Sequence, residues 1–165
     1  NQLGPDVMRD ILSYLYYASQ LYLSGSAIEE DDSPFHTFYL IANSNLNGFS
    51  HKERIALALI ASFKNKSLFK LFATPFEKWF SEAELKLIRL AGGLLKFTEA
   101  MNITAVNPVR SFALIPKKKE LLLKIEWGFD PSAETYQANR QKKHLENVVE
   151  KNVILDFSQS PRLEC

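Results

Sequence analysis

The chain has 165 residues, 46% hydrophobic and 24% charged, a balance that fits one compact globular domain and excludes disordered or collagen-like classes. Its 20 Lys+Arg and 19 Asp+Glu leave a net charge of +1, so no global field marks a nucleic-acid or membrane-surface protein, and any anion site must come from local clustering. The single cysteine, Cys165, rules out an internal disulfide framework or a cysteine-built zinc site and points to a reducing cytoplasm; no apolar run is long enough to span a bilayer or serve as a signal core.

From Pro5, the residues Val7, Ile11 and Leu15 form one four-residue ladder and Met8, Leu12 and Tyr16 another. This is the pattern of an amphipathic helix with a wide buried face, running towards Gly25. The acidic run from Glu29 to Asp32 reads as a solvated loop, because it lacks the spacing a cation demands. Asp32 or Ser33 can then cap a short helix to Ala42, with Pro34 in its first position. The stretch from Asn43 to Gly48 is a dense cluster of turn formers. Ser50 and Glu53 make a capping box for a helix striped by Ile55, Leu59 and Phe63, and Ser81 with Glu84 makes a second for a helix carrying Leu85, Ile88, Leu95 and Met101. Between them Phe69, Phe72, Phe76, Trp79 and Phe80 recur at nearly helical spacing, which favours the core. Gly92-Gly93 inside a helix costs stability and is expected at a close helix crossing.

After Pro108 the period changes. Ser111–Ile115 and Glu120–Trp127 read as strands joined by the basic tip Lys117, Lys118, Lys119. Asp130-Pro131 starts another helix, bearing Arg140, Lys142, Lys143 and the apolar Leu145, Val148 and Val149; residues Val153 to Phe157 return as a third strand. The expected fold is mainly α (α+β), a bundle of about five helices followed by a small antiparallel sheet with one further helix. It forms a single domain over residues 1–157, with a frayed tail over 158–165.

The search for chemistry is mostly negative. The six glycines fall in neither a G-x-x-x-x-G-K-S/T nor a G-x-G-x-x-G pattern, so no nucleotide-triphosphatase loop is expected. The histidines are His36, His51 and His144; they form no H-E-x-x-H pair and suggest no triad. His51 and His144 are expected as solvated surface residues. His36, near a helix start and beside Phe35 and Phe38, fits capping or packing better than a lone metal or phosphate ligand.

Four stretches then line up in order: Leu21-Tyr22-Leu23-Ser24-Gly25, Phe35-His36-Thr37-Phe38-Tyr39-Leu40-Ile41, Asn43-Ser44-Asn45-Leu46-Asn47-Gly48-Phe49 and Arg89-Leu90-Ala91-Gly92-Gly93-Leu94-Leu95. They resemble the L-H-D/E-I/V-G, H-K-H-S-A/Y/F-Y-I/L-I/L, N-S-D-L-P-G-F/L and R-L-A-x-L-L segments of the C-terminal, HD-type domain of the bacterial exopolyphosphatase/guanosine pentaphosphate phosphohydrolase (Ppx/GppA) family. The resemblance covers nearly the whole chain. It implies a cytoplasmic enzyme hydrolysing phosphoanhydride bonds in actin-like N-terminal domains, which hold Mg²⁺ and the catalytic glutamate, and nothing in this chain resembles those domains.

A working HD site needs an adjacent His-Asp pair and further His and Asp ligands converging on a divalent cation. The resemblance assigns those positions to Tyr22, Leu23, His36 and either Glu99 or Asn102, so the site is degenerate, and no metal, cofactor or catalytic residue is expected in this chain. The implied role is accessory: supporting a homodimer, packing on its own phosphatase domains and holding long polyphosphate, with no membrane or nucleic-acid partner. Lys64, Lys66 and Lys70, expected at the end of the Ile55 to Phe63 helix, match a basic stretch of the family; Lys117, Lys118 and Lys119, and Arg140, Lys142 and Lys143, are further candidates. Two alternatives stand beside this reading: an HD-type metal phosphohydrolase with altered ligands, and a pure dimerisation module.

Overall fold

A computed structural model describes residues 5–128 and 130–159, with side chains over 11–128 and 130–157. The expected ladder positions Val7 and Met8 therefore have side chains outside the described residues. The chain is mainly α with a three-stranded mixed sheet, and it divides into two compact units, Asn1–Leu95 and Lys96–Cys165. Among the described residues no helix is long and apolar enough to cross a membrane.

The first unit holds α1 (Pro5–Leu21), a 3-10 turn (Ser24–Ala27), α2 (Ser33–Asn43), α3 (His51–Ala61), α4 (Lys66–Ala73), a second 3-10 turn (Thr74–Trp79) and most of α5 (Glu82–Ala100). Its centre is α3 with the two residues that follow it, and every residue from Ile55 to Phe63 is buried. A helix apolar on all sides has to be covered on all sides, and α1 and α2 both pack on it. The one hydroxyl in this run, on Ser62, donates to the Ala58 carbonyl at 2.6 Å, which removes the cost of burying it.

Both expected capping boxes form. Glu53 N–H donates to Ser50 Oγ at 3.3 Å and Ser50 N–H to Glu53 Oε2 at 2.6 Å; the matching distances at Ser81 and Glu84 are 3.2 and 2.7 Å. Gly92 does lie at a close approach, where an added Cβ would sit 2.6 Å from the Cβ of Phe63, a residue that follows α3 rather than belonging to a crossing helix. Two boundaries are corrected. α2 starts at Ser33, so Pro34 is not its first residue, and the Asp32 side chain makes no capping bond. α3 ends at Ala61 rather than Phe63, because the Asn65 side chain accepts from Leu68 N–H at 2.9 Å and opens a new helix, α4.

The second unit holds β1 (Val109–Pro116), β2 (Glu120–Trp127), α6 (Ser132–Val149) and β3 (Asn152–Gln159), in sheet order β1-β2-β3. β1 and β2 pair antiparallel across the lysine tip, as expected, but β3 lies parallel to β2, with Ile125 opposite Phe157. The sheet is thus mixed rather than antiparallel. Parallel neighbours need a crossover, and the 18 residues of α6 supply it. Ile125 and Val153 from the sheet and Ala138, Leu145 and Val148 from α6 are buried. β3 runs on to Gln159, so Ser158 belongs to a strand; the rest of the expected tail, from Ser160, lies outside the described residues.

Candidate functional site

α1 ends at Leu21, and the chain reverses at Leu23, whose backbone is left-handed (φ 53°, ψ 22°). That conformation costs a residue with a Cβ about 1–2 kcal/mol, so the surroundings must hold it. They do so two residues on: Gly25 N–H donates to Thr37 Oγ1 at 2.9 Å in a buried bond. A Cβ on Gly25 would lie 2.5 Å from the Ser33 carbonyl oxygen and 2.7 Å from His36 Cβ, and it would also strike Thr37 N. Only glycine fits. The segment after α1 is thereby pressed onto the first turn of α2, which brings Gly25 against Ser33, His36 and Thr37.

Tyr22 is half-buried and packs against the core of this unit; Leu23 and His36 are also half-buried. His36 Nε2 lies 3.8 Å from Glu29 Oε2, in the otherwise exposed acidic run. Ser33 Oγ, one turn before Thr37, is buried with no hydrogen-bond partner. Glu99 is exposed on the last turn of α5 and belongs to the second unit. Among the described residues no group of three or more His, Cys, Asp or Glu side chains is arranged to hold a metal ion.

No family model and no curated protein matches the chain.

The basic candidates separate. Lys64, Lys66 and Lys70 are all exposed, but they are not on one continuing helix: Lys64 lies between α3 and α4, Lys66 is the first residue of α4 and Lys70 is in its last turn. Lys66 and Lys70 keep the i, i+4 spacing that puts two side chains on one helix face. Lys117, Lys118 and Lys119 are exposed on the hairpin tip, with Lys117 Nζ 3.8 Å from Glu120 Oε2. Lys118 and Lys119 line a shallow hollow whose other walls include Glu146 and Glu150, so its charge is mixed. In the third group Arg140 stands over the Tyr136 ring, 5.6 Å from its centroid, and Lys142 Nζ donates to the Val153 carbonyl at 3.0 Å. Lys142 thus ties α6 to β3.

Two histidine expectations need qualification. His144 is half-buried rather than solvated; burial, then Lys96 and Lys143, hold its pKa below the ordinary range. His51 is exposed, but its Nδ1 is 2.9 Å from Arg54 Nη2 and its ring 5.1 Å from Trp79. Arg54 also donates to the Ser44 carbonyl at 2.6 Å, fastening the Asn43–Gly48 turn, where Gly48 takes φ 88°. Of the aromatic series, Phe69, Phe72 and Phe80 are buried and Phe76 half-buried as core residues, while Trp79 is exposed.

Two polar features escape sequence reasoning. Lys52 Nζ meets Glu84 Oε1 at 2.8 Å, joining the starts of α3 and α5. Glu134, only 1% exposed, accepts from Thr104 N–H at 3.1 Å and from the Thr104 hydroxyl. Burial pushes the Glu134 carboxyl up, and the two Thr104 bonds more than offset this, so its pKa lies below the ordinary 4.5. An acidic residue in the first turn of a helix ordinarily reads as a solvated partner of the helix dipole. Nothing in its neighbours signals that this one is buried.

Proposed function

We propose that the chain is a non-catalytic accessory domain of a bacterial, cytoplasmic phosphohydrolase of the Ppx/GppA type. It supports a homodimer, packs on phosphatase domains that carry the Mg²⁺ chemistry, and holds distal phosphates of long polyphosphate. The observation that supports this most is the Gly25 to Thr37 clasp. It joins the two stretches, Tyr22–Gly25 and Phe35–Ile41, whose likeness to the HD-type motifs carries the resemblance. By the resemblance Tyr22 and Leu23 stand where an HD centre needs a histidine and a carboxylate; Leu23 has no donor atom, and a neutral tyrosine hydroxyl replaces neither an imidazole nor a carboxylate.

A polyanion without sequence to read is held by spaced cations alone. Lys66 and Lys70 face one way on α4 and Lys64 precedes them, so we expect this cluster to contribute more than the hairpin tip. The test is titration of the chain with long-chain polyphosphate, comparing Lys64→Ala plus Lys66→Ala with Lys117→Ala plus Lys118→Ala. A larger loss in the first pair supports the assignment; equal losses reject it. Phosphate release from polyphosphate by the chain alone, abolished by substituting one of its residues, would overturn the accessory role.

A further inference from the structure

Among the described residues β1 is an edge of its sheet, hydrogen-bonded to β2 on one side only. Its register sets Phe112 opposite Ile125 and Leu114 opposite Leu123, and cross-strand partners share a sheet face. On that face Ile125 is fully buried, whereas Phe112 is 71% and Leu114 57% exposed. Ala113 and Ile115, alternating with them, are exposed on the other face. The register is unbroken from Ser111 to Pro116. Natural edges are blunted by charges within the strand, bulges, proline or short length. Here such devices stand only at the ends: an irregularity between Val109 and Ser111, then Pro116 and the lysine tip. An uninterrupted apolar edge of this kind is a template for another strand.

Charge selects the occupant. Two-fold antiparallel pairing with a second copy about Ala113 would set Lys117 of each copy against Val109 and Arg110 of the other, opposing cations at both ends of the ladder. Opposed like charges destabilise a strand pair. No residue of β1 is acidic, and Lys118 and Lys119 are exposed beside its end, with Glu120 3.8 Å from Lys117 and Glu146 and Glu150 bordering the hollow that Lys118 and Lys119 line. We propose that β1 is a docking edge for an extended segment of a partner polypeptide, added antiparallel, apolar at alternate positions and acidic at its N-terminal end, where it passes Lys117 to Lys119. Main-chain bonds give the affinity; the lysines give direction and choice of partner.

The probe is a synthetic peptide of alternating valine and threonine headed by glutamates, compared with the same peptide headed by lysines. Binding is read by hydrogen exchange at the β1 amides of the full chain. The glutamate-headed peptide should slow exchange over residues 111–115 and bind about tenfold tighter than the lysine-headed one. Lys118→Glu plus Lys119→Glu, at exposed positions that leave the core untouched, should reverse that order. Phe112→Thr plus Leu114→Thr keeps strand propensity and should weaken both peptides. Equal binding of the two peptides, no binding, or protection confined to β3 overturns the proposal. Concentration-dependent protection of β1 without peptide also overturns it, in favour of a second copy.

Discussion

Gly25 is the residue on which the candidate site turns. A methyl group there collides with the backbone of α2 rather than with the movable end of a side chain, so the strain cannot be relieved by a rotamer change. We expect Gly25→Ala to cost about 2 kcal/mol or more, read from the urea midpoint; an unchanged midpoint would mean that the two segments are not clasped. Glu134 makes the second residue-scale case. Its carboxyl titrates below the ordinary 4.5 in the folded chain, so the stability it contributes is complete above that value and is lost as pH falls through the folded value. Glu134→Gln keeps the shape and removes the charge, and we expect it to cost about 1–3 kcal/mol at pH 7. The gap between the two proteins should narrow below pH 4.5; a gap constant into acid would assign the loss to packing. Of these residues, Gly25 was legible as the end of a motif, while Glu134 was not. A glutamate's burial depends on which loop arrives above it, here the turn at Thr104, and local sequence carries no record of that.

At the scale of elements, the sequence was most legible where a cap announces a helix. Ser50 with Glu53 and Ser81 with Glu84 fold as their spacing dictates, and replacing either serine by alanine should cost about 1 kcal/mol in thermal or urea unfolding. Because Lys52 bridges to Glu84, the two caps are linked, and the double substitution should depart from the sum of the singles; strict additivity would show that the bridge transmits nothing. Legibility fails where two signals compete. Lys64 to Lys70 was expected to follow on from α3, yet Asn65 offers its side chain to Leu68 N–H and ends that continuity, a choice settled by the aromatic residues that α4 must bury. The strands themselves were readable from period and tip. The direction of β3 was not, since alternation fixes which face a residue takes and says nothing of which way its neighbour runs. The clasp of Gly25 on Thr37 was not readable from local pattern, because twelve positions separate the two residues.

At the scale of the whole molecule, a net charge of +1 provides no long-range field. Any polyphosphate held by Lys64, Lys66 and Lys70 is held locally and from exposed positions. Binding should therefore be measurable in low salt and largely lost near physiological ionic strength; salt-insensitive binding would point to a different force. The parallel pairing of β2 with β3 carries a consequence for how this chain comes into being. The hairpin joins neighbours across three lysines and can close within about 1–10 μs, whereas β3 cannot be added until residues 132–149 of α6 have been made and coiled back. At a ribosome adding about 5–20 residues each second, the hairpin would spend on the order of a second or more with both long edges open. The second unit is thus a slow closer by topology.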